Sequence, residues 1–195
     1  RLSSKPPYSI APPNVSDIVS LAELPPADLA NYRSKGIDLL ASGGGAVIVL
    51  AGGSGTRLGV AFAKGKLVCP DLKAPKSLFQ LQCEKIRATE RMVDETASPS
   101  TTGRACRIHV AFMTSPINDQ ETREFFAEHN YFGLDASQVH FFAQGLMPSF
   151  TANGKMILES PCALAASPNG NAGIYRAVAD SGLLTKLDKK FHVQF

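Results

Sequence analysis

Apolar positions in this chain fall into short unbroken runs separated by stretches of helical period. Ala46 to Leu50 is apolar without alternation, the pattern of a strand covered on both faces. Arg107 to Thr114 (RIHVAFMT), Val139 to Phe142 and His192 to Phe195 are three further strand candidates. Over Ala27 to Leu40, Leu29, Tyr32, Leu39 and Leu40 make a loose helical stripe, opened by prolines and closed by Ser42-Gly43-Gly44-Gly45. From Ser77 to about Met92, Leu78, Leu81, Cys83, Ile86 and Met92 share one side, and Lys85, Arg87, Glu90 and Arg91 mostly hold the other. Asn118 is placed to cap a helix that reaches His129, with acids in its early turns. Asn153-Gly154, between SFTA and KMIL, predicts a hairpin turn. Gly170 to Leu184 begins with glycines and becomes helical.

Strands alternating with helices predict an α/β fold with a mostly parallel sheet. Residues 1–45 read as an N-terminal proline-rich and helical extension, and 46–195 as part of the core domain. Six prolines precede Ala27, so the lead-in should be extended, with a short helix near Ser16 to Leu24. Residues 94–105, DETASPSTTGRA, read as a polar loop.

Composition narrows the function classes. The chain has 195 residues, 44% hydrophobic and 19% charged, as an ordinary globular domain has. Its longest apolar run, Ala46 to Ala51, is too short to span a membrane. Net charge is +3 and no Lys/Arg block forms a basic stripe, which argues against nucleic acid and leaves room for an anionic ligand. Cys69, Cys83, Cys106 and Cys162 are widely separated, with no CxxC pair. They read as small buried hydrophobes in a reducing compartment, hence a cytoplasmic protein. No histidines pair at metal-ligand spacing, and no metal ligand is assigned within the chain.

The candidate chemistry sits where the first strand ends, in AVIVLAGGSGTRLG (Ala46 to Gly59). In open α/β sheets ligands bind beyond the C-terminal strand ends. Counting from Gly52, the sixth position of a Walker loop is Arg57, with no Lys-Ser/Thr after it, so that cradle is excluded. A dinucleotide GxGxxG starting at Gly53 finds its third glycine at Gly59, one place late. Gly52, Gly53 and Gly55 would still let backbone N–H groups approach phosphate oxygens, and Arg57 adds a bidentate cation. Alone, the glycines fit a tight turn equally well. Thr56-Arg57 favour phosphate, with Lys64 seven residues on and Lys66 also within ten.

LAGGSGTRLG (Leu50 to Gly59), AKG (Ala63 to Gly65) and KSLFQLQCEKI (Lys76 to Ile86) resemble the eukaryotic UDP-N-acetylglucosamine pyrophosphorylases. So do FFAEHNYFGLD (Phe125 to Asp135), FFAQGLMP (Phe141 to Pro148), NGKMILES (Asn153 to Ser160) and SPNGNAGIY (Ser167 to Tyr175). The similarity runs in order over residues 46–195. It implies a Rossmann-like nucleotidyltransferase core of the glycosyltransferase-A type, incomplete in this chain, because the family's chains are much longer and this is at most their front half. The implied activity joins UTP and N-acetylglucosamine 1-phosphate into UDP-N-acetylglucosamine and pyrophosphate, with Mg²⁺ or Mn²⁺.

The resemblance also implies roles. Backbone around Leu50, Ala51, Gly52 and Gly53 would contact uridine, and Gly55 and Thr56 would lie along the phosphates. Arg57 would bind the β- and γ-phosphates and stabilise departing pyrophosphate, and Lys64 would sit near the α-phosphate. Gln144 and Gly170 would contact the uracil edge, and Asn171 the ribose or sugar side. Gln144 carries both a donor and an acceptor, which suits uracil. Read without the family, Gly170 and Gly173 are equally helix-start glycines. Lys76, nineteen residues after Arg57, is expected to be a helix-entry or surface lysine.

The chain departs from the family's pattern at Ala63, Asn169 and Ala172. The family's metal-binding aspartate and much of its sugar pocket lie beyond this sequence, so residues 1–195 alone are expected to be inactive. Competing readings are a uridylyltransferase for another sugar 1-phosphate, a non-catalytic nucleotide-binding module, and a dinucleotide-dependent oxidoreductase.

Overall fold

The structure is a computed structural model and describes residues 11–53, 55, 58–60, 62–97, 105–187 and 192–194. The chain divides into two compact units, up to Gly36 and from Ile37 onward. In the first, Val15–Asp17 forms a single 3-10 turn. The short helix expected near Ser16 to Leu24 is not formed: Val15, Ile18, Val19 and Leu21 stay exposed, so no apolar stripe is buried to stabilise it. Helix α1 (Pro26–Ala41) crosses the division. It ends at Gly43, whose φ of 76° turns the chain while its N–H donates to the Leu40 carbonyl.

The second unit contains β1 (Gly45–Leu50), a small hairpin of β2 (Val68–Cys69) and β3 (Lys76–Ser77), and α2 (Leu78–Thr96). Then come β4 (His109–Thr114), α3 (Asp119–Glu128) and β5 (Val139–Ala143). An excursion follows: β6 (Leu146–Pro148), β7 (Leu158–Ser160), β8 (Ala163–Leu164) and β9 (Ala166–Pro168). The chain continues through α4 (Ile174–Asp180), α5 (Leu183–Lys186) and β10 (His192–Gln194).

Among the described residues the main sheet has the order β10-β1-β4-β5, with every pairing parallel. Its two faces separate by strand alternation. Val110 and Phe112 enter one core with Phe79, Cys83, Ile86 and Val93 of α2 and Phe126 of α3. Ala111 and Met113 enter the other, with Ile174, Ala177, Val178 and Leu183 of the last two helices. The expected α/β fold is therefore a sheet with helices on both faces. Phe79 meets Phe112 edge-on at 5.4 Å and Phe126 at 5.1 Å, and such pairs add about 1 kcal/mol beyond area burial.

The expected elements shift in detail. The second helix runs on to Thr96, and Asp94 accepts the Cys106 N–H at 2.6 Å, which ties the end of the loop back to it. Asn118 occupies the N-cap position of α3, yet its side chain makes no cap. It accepts from the Ser115 N–H (2.8 Å) and donates to the Ala51 carbonyl (2.9 Å) instead. Asn153-Gly154 forms the expected turn, with Gly154 at φ 78° and Thr151 bonded to Lys155 across it. Gly182, left-handed at φ 66°, breaks the last helical segment into α4 and α5.

At the opposite end of the strands from their C-termini, His109 and His140 stack with ring nitrogens 3.0 Å apart. Burial depresses the proton affinity of both, and at His140 the charges of His109 and Lys186 depress it further. The unfolded chain therefore binds these protons more readily, so their contribution to stability is full above about pH 6.5 and declines as pH falls below it. Urea unfolding of the wild type should show midpoints falling between pH 7 and 5, with His140→Phe flattening that slope; an unchanged slope in the variant would refute the assignment.

Candidate active site

The last rung between β1 and β4 is the Ala51 N–H donating to the Met113 carbonyl at 2.8 Å. Beyond it the chain leaves the sheet. After β5, the Gln144 N–H donates to the Thr114 carbonyl at 2.9 Å, and that chain departs as well. The diverging ends leave a cavity of about 390 Å³, within the range of small-molecule sites. Val49, Leu50, Ala51, Gly52 and Gly53 line one side, and Lys64 and Gly65 another. Leu78, Phe79 and Gln82 from the start of α2 contribute, as do Met113, Gln144 and Asn171. One of these side chains is cationic and none is acidic, so the cavity favours an anion.

The glycines here have separate reasons. A methyl group at Gly52 would collide with the Gln144 side-chain amide, so Gly52 is what lets Gln144 lie across the strand end. Gly65 packs its bare backbone on the Phe79 ring. Gly53 has open space where a side chain would be. Gln144 is only 5% exposed, and its Oε1 is buried without a hydrogen-bond partner. An orphaned acceptor of this kind costs about 1–3 kcal/mol until a donor reaches it. Asn169 Oδ1 is also buried and unpartnered, beneath Gly173, where any side chain would strike it.

Of the residues singled out from the sequence, Leu50, Ala51, Gly52, Gly53, Lys64, Gln144 and Asn171 meet around this one cavity. Thr56 and Arg57 lie outside the described residues. Gly55 is not in the lining. Its N–H donates to the Phe62 carbonyl at 3.1 Å, and its missing side chain makes room for Val60. Gly170, at φ 78°, stands next to Asn171 without lining the cavity. Lys76 is held at 2.6 Å by Glu84, whose carboxyl this hydrogen bond keeps below its usual range, so that lysine serves the helix entry. Sequence reasoning missed Gln82, Leu78, Phe79 and Met113; they read as helix or strand positions, and only the packing turns them toward the cavity.

Among the described residues no three His, Cys, Asp or Glu side chains gather to hold a metal ion. The cavity lining carries no carboxylate, and Mg²⁺ at a phosphate site is held by one or two of them, so the lining residues do not fit a Mg²⁺ site by themselves.

The model of the UTP–glucose-1-phosphate uridylyltransferase family matches residues 7–191. The chain belongs to that family. It is 41% identical over 159 residues to UDP-N-acetylglucosamine diphosphorylase 1 of Arabidopsis thaliana, covering 80% of this chain and 31% of that protein. It is 35% identical over 196 residues to UDP-N-acetylglucosamine pyrophosphorylase of Saccharomyces cerevisiae, covering 94% and 39%. A solved structure of the Trypanosoma brucei UDP-N-acetylglucosamine pyrophosphorylase with an inhibitor superposes with a TM-score of 0.68 at 38% identity, over 83% of this chain and 31% of that one. The chain thus spans about a third of the length of such uridylyltransferase relatives.

The glycine contacts give a direct check. Gly52→Ala must displace Gln144 and should cost about 1–3 kcal/mol. Gly53→Ala, facing open space, should cost under about 1 kcal/mol. Chemical denaturation of the two variants separates them; equal losses would contradict the close approach of Gly52 and Gln144.

Proposed function

We propose that this chain provides the UTP-binding part of an enzyme that makes UDP-N-acetylglucosamine and pyrophosphate from UTP and N-acetylglucosamine 1-phosphate. The observation that carries the reading is the meeting of Gly52, Gly53, Lys64, Gln144 and Asn171 around one acid-free cavity at the strand ends. The unpartnered Gln144 Oε1 supplies the acceptor that a uracil N3–H requires. The names of the relatives, which act on UDP-N-acetylglucosamine, support the same choice of sugar.

The backbone from Leu50 to Gly53 flanks the uridine, with Gly170 beside the uracil edge and Asn171 toward the ribose. Gly55 shapes the loop, and Thr56 lies along the phosphates. The sugar phosphate oxygen attacks the α-phosphorus in line, a new P–O bond forms, and the bond to the bridging oxygen breaks as pyrophosphate departs. Lys64 neutralises charge at the α-phosphate, and Arg57 neutralises it on the β- and γ-phosphates. Positioning and charge stabilisation account for the catalysis. Mg²⁺, or Mn²⁺ in its place, is proposed as the metal partner of the triphosphate, with ligands other than the described residues.

Burial pushes the thiol of Cys83 up to about 12 and that of Cys106 up to about 11, so both stay protonated at neutral pH, whereas Cys69 is half-buried and Cys162 exposed, unlike the four buried cysteines expected from the sequence. Among the described residues no helix is long and apolar enough to cross a membrane.

The test is turnover of the full-length protein with UTP, metal and a panel of sugar 1-phosphates. Greatest kcat/KM with N-acetylglucosamine 1-phosphate is expected; preference for the glucose compound, after which the family model is named, would reassign the sugar. Arg57→Ala should lower turnover by at least about a hundredfold, as loss of a charge stabiliser does. Near-wild-type rates in that variant would defeat the role. Gln144→Leu should erode the preference for UTP over CTP, and an unaltered preference would remove Gln144 from base recognition.

A further inference from the structure

The segment from Ala51 to Lys66 is held at both ends by one helix. At its start, Asn118 Nδ2 donates to the Ala51 carbonyl at 2.9 Å. At its end, Lys66 Nζ donates to Glu121 Oε1 at 2.7 Å. Asn118 and Glu121 are three residues apart at the start of α3, so they project from the same side of it. Glu121 also sits in the helix's first turn, where the helix dipole favours a carboxylate. The Lys66 ammonium lies 5.2 Å from the Phe125 ring centre and 5.9 Å from that of Phe62. The pair is partly buried, at 27% and 36% exposure, so solvent screens it less than a fully exposed ion pair.

Lys66 shares a three-residue 3-10 turn with Lys64. That turn is closed by the Lys66 N–H on the Ala63 carbonyl (2.9 Å) and the Leu67 N–H on the Lys64 carbonyl (3.0 Å). Ala63 is buried, and Gly65 lies flat on Phe79. A displacement of Lys66 is therefore passed to Lys64, which lines the cavity. Phe62, whose ring faces the Lys66 ammonium, also accepts the Gly55 N–H at its backbone carbonyl, so one residue links Lys66 to Gly55.

We infer that the Lys66–Glu121 pair is a positioning device that sets Lys64 at the reacting phosphate, and that α3 is the common mount for both ends of the phosphate loop. This rests on the UTP reading above. Lys66 touches no substrate in this scheme; it acts through Lys64.

The test compares Lys66→Met, Glu121→Gln and Lys66→Arg in the full-length protein. Met keeps an apolar stem over the two rings and removes the ion pair, whereas Arg keeps both. Lys66→Met and Glu121→Gln should each lower kcat by about 10- to 100-fold, the scale of a small misplacement of a catalytic group. KM for UTP should stay within about threefold, thermal unfolding should be nearly unchanged, and Lys66→Arg should retain most of the turnover. Amide hydrogen exchange at Lys66 and Leu67 should quicken by about tenfold in Glu121→Gln, an effect of local opening that needs no turnover to be read. Wild-type kcat in both ion-pair variants would overturn the positioning role. Wild-type protein that turns over no UTP would instead overturn the functional reading, and the exchange rates then decide the mount alone: unchanged exchange in Glu121→Gln refutes it.

Discussion

The parallel ladder between β1 and β4 ends at a single bond, the Ala51 N–H on the Met113 carbonyl, and the site depends on where that ladder stops. One residue more of pairing would draw Gly52 into the sheet and close the crevice. It stops because Asn118 takes the Ala51 carbonyl and because Gln144 lies against Gly52. The neighbouring β4–β5 ladder is extended by the Gln144 N–H on the Thr114 carbonyl, and Thr114 in turn is hydrogen-bonded to Asp119. Strand termination, the start of α3 and the cavity wall are thus one hydrogen-bonded unit. The aromatic group of Phe79, Phe112 and Phe126 beneath it gives that unit a rigid floor.

Much of the fold was legible in the sequence because the sheet is buried on both faces. Runs such as Ala46 to Leu50 and RIHVAFMT have no competing interpretation when helical periods lie between them. The Asn153-Gly154 turn was legible for a local reason: it needs φ > 0 at one position, and a glycine marks it. The short helix expected near Ser16 to Leu24 was misread because its apolar residues, Ile18, Val19 and Leu21, find no core to bury them. The left-handed run of Asn130, Tyr131 and Phe132 was missed because Asn130 and Gly133 at its ends favour that conformation while the two aromatic residues between them do not. Arg87 donating to the Phe132 carbonyl, and stacking of Phe132 on His129, offset its strain.

The site was legible in part. Gly52, Lys64, Gln144 and Asn171 were identified through motifs, and the cavity unites them. Their reasons were not legible. Gly52 looked like a phosphate-approach glycine and proves to be the seat of a glutamine. Gly55 looked alike in sequence and serves loop closure. Lys66 looked like a second cation for the glycine loop but lies outside the cavity lining, and its partner is 55 residues away, on a helix whose polar face gave no hint of it. Long-range polar contacts of this kind leave no periodic trace along a chain.

The excursion from Gly145 to Pro168 has a closed base. The chain leaves the sheet after Gln144, and on return the Asn169 N–H donates to the Gly145 carbonyl at 3.1 Å. Beyond that bond a stem pairs β6 with β9, from Leu146–Pro168 outward, and branches into the turn at Thr151–Lys155 and the separate β7–β8 hairpin. Entry and exit therefore meet at one point, and the arm's length is decoupled from the sheet. Doubling a closed loop costs only about 0.6 kcal/mol in chain entropy. An evolving or engineered protein could lengthen, trim or exchange this arm while the strand ends beside it keep their register, which makes it the fold's natural site for acquiring new surface without rebuilding the cavity.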